Sequence, residues 1–464
     1  MTHRAANRRR ALAIDPLHLS VAVEASPLDL PRRELLVLVT LVERNVQATF
    51  AAHIPAERHG RNLLKKSRHA RRRQMNHDIQ SRLLSESGIT HAEIALPKRR
   101  MLSKNMGLKI AYILPRRFQF GPKMATSVDL CVRDLVRFSR HASGTTVFCP
   151  AIETPYSDIN IRMMQPAGAL GNFGRAVQLA AKISAAPFDA AIVEHHLPMA
   201  TMIASMTRKP IIFHGHAYET SGESRFRQFI QRAKFKPFAA IVQVSDSCAS
   251  HFRKTFPGLS ASVGIIYNGL DMLDWTFEID KDQTIMVVGR AIPNKGHLEA
   301  MAAIVRVFAI EPGWKARFIL SEVGYDKGYF KKLCALASQM PHRIKIETDL
   351  PYAEVKSAWG RAAIGIVPTL SKEPFGRTAL EAMASGAALI TSGRGGVAEV
   401  CGPHALVADP ETPASIDPAL LKLMRTSELR EALVKPGRRR VLELYDIRRV
   451  AASMDDFVDS VLGR

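Results

Sequence analysis

From residue 106 onward, short apolar runs alternate with longer stretches in which apolar residues recur every three to four positions. The short runs predict strands and the longer stretches predict amphipathic helices. In the first series, strands are expected at 109–114, 145–149, 190–193, 210–213 and 239–244, with helices at 128–138 and 177–183. A second series begins with a strand at 284–288 and a helix at 298–308. Strands at 317–320, 344–347, 364–367 and 388–390 follow, with helical stretches between them. Such alternation implies βαβ units and a parallel sheet. The expected fold class is α/β, with two Rossmann-like, doubly wound halves joined by a linker near 271–282. In such sheets ligands bind beyond the carboxyl ends of the strands, so a central cleft between the halves is the expected site.

Residues 1–105 break this pattern. Clusters at Arg8–Arg9–Arg10, Lys65–Lys66, Arg71–Arg72–Arg73 and Lys98–Arg99–Arg100 separate apolar stretches that have neither period. Three segments are therefore expected: an irregular basic extension at 1–105, a first Rossmann-like domain at 106–275 and a second at 276–464, the last helix packing back on the first domain. Met101 and Met106 precede the first strand, so the extension reads either as poorly ordered chain or as sequence upstream of the true start. A basic arm for nucleic acid or membrane is the alternative.

Composition narrows the classes. The chain has 464 residues, 47% of them hydrophobic, enough for real cores. Its five cysteines (Cys131, Cys149, Cys248, Cys334, Cys401) are too scattered for a disulfide framework and fit a reducing, cytoplasmic compartment. No apolar run reaches the length of a membrane-spanning helix, and MTHRAANRRR has no apolar stretch after its charges, unlike a secretory signal. The net charge of +22 is unevenly spread: +11 in 1–105, +10 in 106–270 and +1 in 271–464. A basic surface suits nucleic acid, an anionic membrane or phosphorylated ligands. No recognisable nucleic-acid-binding module is visible, so no nucleic-acid partner is expected.

Three stretches carry candidate chemistry. In Glu373-Pro374-Phe375-Gly376-Arg377-Thr378-Ala379-Leu380-Glu381, Pro374 suits the first turn of a helix that Gly386 would end. Eight helical steps would set the two carboxylates about 12 Å apart. The helix N-terminus between them offers N–H groups to a phosphate. After the first strand of the second half come Gly289, Arg290, Lys295 and Gly296, a turn whose two cations suit a diphosphate. Ser392-Gly393-Arg394-Gly395-Gly396, also after a strand, allows close backbone approach to a ligand.

In this order and spacing the motifs resemble the family 4 glycosyltransferases of the GT-B fold, over about residues 108–450. Glu373 and Glu381 match the Glu-x7-Glu pair. Supporting matches are Gly289, Arg290, Lys295 and Gly296, the turn Tyr267-Asn268-Gly269-Leu270-Asp271, Val244–Ser247 and Phe213-His214-Gly215-His216. The resemblance implies that Glu381 and Gly289 bind the donor together with Phe375, Gly376, Arg377 and Thr378. Glu381 would take the ribose, Glu373 the transferred sugar, Arg290 and Lys295 the diphosphate, and His214 would sit near the sugar and the acceptor. It also implies retention of anomeric configuration without a metal or other cofactor. One departure concerns the loop 115–123, where many relatives carry two adjacent glycines. This chain has Gly121, an expected donor contact, followed by Pro122, with Lys123 as a substitute contact to the donor phosphate or the acceptor.

Two further clusters have alternative readings. Glu194, His195, His196, His214 and His216 could form a metal centre, since alternate strand residues share a face; the resemblance favours none. The segment 225–238 mixes five cations with four phenylalanines, fitting either an anionic membrane surface or an ordinary helix with its phenylalanines inside. The leading expectation is a hexosyltransferase moving sugar from a nucleotide diphosphate sugar to a saccharide or lipid-linked acceptor. Its setting would be cell-envelope polysaccharide or lipopolysaccharide synthesis, peripheral on the inner face of the plasma membrane. Alternatives are a phosphorylase or epimerase on the same fold, a basic nucleic-acid-binding protein, and a non-catalytic nucleotide-binding scaffold.

Overall fold

The computed structural model describes residues 107–114, 120–122, 125–164, 170–222, 224–278, 280–321, 326–412 and 414–464. Residues 106–464 form one compact unit. The expectations for 1–105 and for Lys123 lie outside the described residues.

The first sheet contains β1 (Ile110–Ile113), β2 (Thr146–Pro150), β3 (Ile161–Met164), β4 (Ala190–Glu194), β5 (Ile211–Gly215), β6 (Ala240–Gln243) and β7 (Ser262–Ile265). Its order is β3-β2-β1-β4-β5-β6-β7, every neighbouring pair parallel. The second contains β8 (Asp282–Arg290), β9 (Lys315–Ser321), β10 (Ile344–Thr348), β11 (Ala362–Val367), β12 (Ala388–Thr391) and β13 (Ala405–Val407). Its order is β10-β9-β8-β11-β12-β13, again parallel throughout. Each sheet reverses direction of growth beside its first strand, which opens a crevice at the carboxyl ends of β1 and β4, and of β8 and β11.

The connecting helices cover both faces of the sheets. The first half has α1 (Ser127–Phe138), α2 (Gly171–Ala185), α3 (Leu197–Met206), α4 (Arg225–Phe235) and α5 (Asp246–Thr255). The second has α6 (His297–Phe308), α7 (Lys327–Ala337), α8 (Tyr352–Arg361), α9 (Arg377–Ser385), α10 (Gly396–Cys401), α11 (Ile416–Arg425) and α12 (Ser427–Tyr445). The central strands β1, β4, β5 and β6 are buried along their whole length, so both faces must be apolar. One face packs Ile113, Val193, Phe213 and Ile241 against Leu179, Ile203 and Phe235.

The opposite face determines how the chain ends. Leu270 exchanges backbone hydrogen bonds with Tyr445 and Ile447, both 2.9 Å long, where the chain returns to the first half. There α13 (Ile447–Val461) lays Val450, Met454 and Val458 on Ile192, Ile212 and Val242, beside Val132 and Leu135 of α1. Burying each of these aliphatic side chains is worth roughly 1.5–3 kcal/mol. Asp455, 3% exposed, accepts from the Ser139 hydroxyl at 2.6 Å and the Arg140 N–H at 2.8 Å.

Replacing Asp455 with Ala leaves that hydroxyl and that N–H without their acceptor. The expected loss is about 1–3 kcal/mol of stability, read as a lower urea midpoint, with Asp455→Asn less affected because one oxygen remains. An unchanged midpoint in Asp455→Ala would show that these two bonds add nothing to the docking of the C-terminal helix.

Candidate functional site

The carboxyl end of β8 turns through Gly289 and the exposed Arg290. His297, the first residue of α6, donates from Nε2 to the Arg290 carbonyl at 3.0 Å, fixing the turn from behind. Burial, reinforced by nearby Lys295, pushes the His297 imidazole down to about 3, so the ring is neutral there. A short 3₁₀ turn, Pro293–Lys295, leads to Gly296 at φ 69°. A Cβ on Gly296 would lie 1.9 Å from the Pro368 carbonyl oxygen, so this position has no room for a side chain. The Asn294 carbonyl accepts from Leu370 N at 3.0 Å and from the Thr369 hydroxyl at 3.2 Å. These bonds tie the turn to the loop after β11 and bring Lys295 Nζ to 2.6 Å from Glu373 Oε2. The two side chains are 23% and 19% exposed, accessible to a ligand.

The helix expected to open at Pro374 starts instead at Arg377, with Gly376 at φ 98° as its N-cap and Gly386 ending it. Glu373 is therefore not helical, and the eight helical steps between the carboxylates do not exist. The reason is backbone pairing: Glu373 N donates to Arg394 O at 3.2 Å, and Gly396 N donates to Glu373 O at 2.7 Å. These bonds hold Glu373 extended beside Gly395. Glu381 is 5% exposed, its Oε1 accepting from Tyr352 Oη at 2.8 Å and Arg377 Nε at 3.2 Å. Burial raises its carboxyl, with Arg377 and Tyr352 opposing. Arg377, also buried, reaches across to Cys131 Sγ at 3.2 Å, Gly269 O at 3.5 Å and Asp134 Oδ2 at 3.6 Å. Thr378 is half-buried in the first turn of α9.

Two of the expected donor contacts also have packing roles. Phe375 is 3% exposed, in the apolar core with Tyr267 and Tyr445. Gly121 packs so closely that a Cβ would lie 2.1 Å from the Thr154 carbonyl oxygen. Within the turn at 267–271, Leu270 carries the return crossing, and Asp271 pairs with Arg448 at 3.1 Å.

On the facing side, β4 and β5 end with Glu194 opposite His214. Glu194 is fully buried and lies 3.1 Å from His214 Nδ1 and 2.7 Å from His216 Nε2. Burial alone would raise its carboxyl, but the two imidazoles outweigh this and hold it down to about 2. Glu194, His214 and His216 bring one ligand atom each within 4.8 Å of one another, the only such donor set among the described residues.

The halves are joined through the stretch 244–247 and through Tyr218, which the sequence did not single out. Ser245 Oγ donates to Pro374 O at 2.6 Å, and Tyr218 Oη to Glu373 O at 3.5 Å. The Glu399 carboxylate accepts the Asp246 and Ser247 N–H groups, at 2.9 and 3.2 Å, at the start of α5. Single-sequence patterning carries no signal for these, because each depends on contact between distant segments. A groove of about 960 Å³ lies elsewhere, at the amino ends of β8 to β11, lined by Lys315, Arg317, Arg343, Lys345 and Arg361. Most of its cations are already engaged, Arg317 and Lys345 by Glu347 and Arg361 by Asp282.

Glu219 follows Tyr218 in the loop after β5, and burial pushes its carboxyl up to about 7. A raised carboxyl favours the folded state at low pH, and that contribution is lost as pH rises from the ordinary value near 4.5 through about 7. The stability of Glu219→Gln relative to the wild type is expected to climb across that window and level off above it. Denaturation midpoints measured from pH 4 to 8 check this, and a flat difference would contradict it.

Residues 274–440 match the family described as Glycosyl transferases group 1. Over 207 residues the chain is 27% identical to a glycogen synthase of Mycobacterium tuberculosis, covering 42% of this chain and 48% of the relative. It is 26% identical over 239 residues to spore coat protein SA of Bacillus subtilis, covering 47% and 63%. The chain thus spans about half the length of the curated relatives it matches. Among solved structures, the Anabaena protein HepE in complex with UDP and glucose superposes with a TM-score of 0.63 at 16% identity, over 76% of this chain and all of that one. Sucrose-phosphate synthase of Thermosynechococcus elongatus does so with the same score and identity, over 77% and 99%. The described residues therefore adopt the GT-B fold, two Rossmann-like domains facing a central cleft, and the second domain carries the similarity to glycosyl transferases group 1.

Proposed function

We propose that this protein is a glycosyltransferase that moves a hexose from a nucleotide diphosphate sugar to a saccharide or lipid-linked acceptor, with retention of anomeric configuration. The observation that carries this reading is the Lys295–Glu373 pair at 2.6 Å, on the turn that follows β8 and just before α9. Departure of the sugar leaves negative charge on the β-phosphate. On this reading Lys295, Arg290 and the N–H groups opening α9 are the cationic and dipolar groups that meet it, the kind of preorganised stabilisation that lowers such barriers. Glu373 holds the Lys295 ammonium and can exchange it for a sugar hydroxyl.

In the proposed reaction the acceptor oxygen attacks the anomeric carbon on the face the diphosphate leaves. The new C–O bond forms as the old one breaks, and the acceptor proton passes to the departing phosphate. Hydrolases that retain configuration use two close carboxylates instead. Here Glu381 is buried against Arg377 and Tyr352, which makes it a ribose contact only where those partners yield. The similarity of the second domain to group 1 glycosyl transferases and the UDP and glucose bound by HepE support a nucleotide-sugar donor. The proposed reaction needs no metal.

Phe226 and Phe229 on α4 are 61% and 64% exposed, between Arg225, Arg227 and Arg232, whereas Phe235 and Phe238 are buried. Among the described residues no helix is long and apolar enough to cross a membrane. We read α4 as an interfacial element that rests on anionic lipid, which places the enzyme on the inner face of the plasma membrane, in envelope polysaccharide or lipopolysaccharide synthesis.

Lys295→Ala and Glu373→Ala are each expected to lower transfer by at least about 10²-fold. Their urea midpoints should stay near wild type, because the pair is partly solvated. Transfer from a panel of UDP-, GDP- and ADP-hexoses, with and without EDTA, measures this, and near-wild-type turnover in both variants would overturn the site. In co-sedimentation, binding is expected to vesicles containing phosphatidylglycerol but not to neutral ones, and to fall in the double variant Phe226→Ser with Phe229→Ser. Equal binding to both kinds of vesicle would overturn the surface.

A further inference from the structure

Glu194 has a task that neither the fold nor a diphosphate contact explains. Its carboxylate is fully buried at the carboxyl end of β4, in register with His214 on β5. It lies 3.1–3.2 Å from Nδ1 of His214 and 2.7 Å from Nε2 of His216. An ionised carboxylate has only lone pairs to offer, so each ring nitrogen facing it must carry a hydrogen. The carboxyl is held down to about 2 and is therefore ionised, while burial pushes His216 down to about 4 and keeps that ring neutral. Bonding to His216 also restrains the carboxylate, so His214 faces a fixed partner.

The other ring nitrogen of His214, Nε2, is buried and has no hydrogen-bond partner. In a neutral imidazole only one nitrogen carries hydrogen. With that hydrogen on Nδ1, Nε2 presents a lone pair. A buried polar atom left without a partner costs about 1–3 kcal/mol, which marks it as a place where a ligand group gains most by bonding.

We propose that Glu194 is a positioning residue that locks His214 in its Nδ1–H form, so that Nε2 meets the bound sugar as a hydrogen-bond acceptor and takes a hydroxyl there. The inference rests on the reading that His214 lies beside the sugar. It deepens that reading by fixing the direction of the bond. A sugar with hydroxyl at that point is accepted, and one with fluorine, a ketone oxygen or a methoxy group, none of which donates, loses the contact. The carboxylate–imidazole arrangement is a general means of fixing which ring nitrogen is free.

The direct test is nitrogen-15 NMR of the full chain labelled at histidine, without substrate, with His214→Asn identifying the His214 signals. The expected result is a protonated Nδ1 and an unprotonated Nε2 in the wild type. In Glu194→Gln the amide can turn either its oxygen or its NH₂ to the ring, and both tautomers should appear. In Glu194→Leu the Nδ1 hydrogen has lost its acceptor, and the Nε2–H form should dominate. A wild-type ring protonated at Nε2 alone, or at both nitrogens, would overturn the proposal, as would an unchanged His214 pattern in a folded variant. Added zinc chloride is the control for the donor set: loss of the Nδ1 hydrogen at stoichiometric zinc would assign these side chains to a cation instead. The spectrum needs no turnover, so its outcome and that of the transfer assay are independent.

Discussion

Residues 373–376 lie between β11 and α9 with no regular structure of their own, so their backbone groups must find partners elsewhere. They find them on both sides. The second half supplies Arg394 O and Gly396 N, and the first half supplies the Ser245 and Tyr218 hydroxyls. A single short loop thus satisfies its backbone by joining the two domains, and it presents Glu373 to Lys295 in doing so. Gly395 and Gly396 are small for the same reason: added side chains would run into the backbone of Glu373 and Pro374. The geometry of the candidate site and the seating of one half on the other therefore share the same few atoms.

Arg377 extends this coupling inward. A guanidinium taken out of water costs several kcal/mol unless its donors are matched. Here the matching groups come from both halves: Glu381 and Tyr352 on one side, Asp134, Cys131 and the Gly269 carbonyl on the other. Such an arrangement favours one relative placement of the halves over near alternatives, because a small slide leaves buried donors unpaired. Glu399 at the start of α5 adds a second fixed point, a carboxylate from one half against the free N–H groups of a helix in the other.

The parts of this fold that could be read from sequence were those whose environment is uniform. The strands β1, β4, β5, β8, β11 and β12 include buried runs lying inside a parallel sheet, and such strands show as short apolar runs. The strands β3, β7 and β13 leave no clear apolar run in the sequence because they lie at the sheet edges, are three or four residues long and are largely half-buried or exposed. The start of α9 lies three residues beyond the Pro374 expected from sequence, because Pro374 fits a first helical turn locally and only pairing with Arg394 and Gly396 holds the chain extended there. Motif spacing brought Lys295 and Glu373 into one candidate site but gave no sign that Arg377 would cover Glu381. Buried ion pairs between distant segments leave no periodic trace in a single sequence.

The uneven charge acquires a structural meaning through these placements. Residues 271–464, with a net charge of only +1, offer no broad positive field to an anionic donor. On the proposed reading, that half must hold a diphosphate with a few placed groups, Arg290, Lys295 and the N–H groups of α9, whose positions are set by the Asn294 and Glu373 backbone bonds. Residues 106–270 carry +10, and several of those cations lie on α4 beside exposed phenylalanines. Diffuse charge of that kind attracts and orients a large anionic surface but does not select a small ligand, whereas the second half's few fixed cations select and do not attract at a distance. On the proposed function, the division of labour follows from how far each arrangement of charge acts through salt water, and it holds for any sugar the proposed site takes.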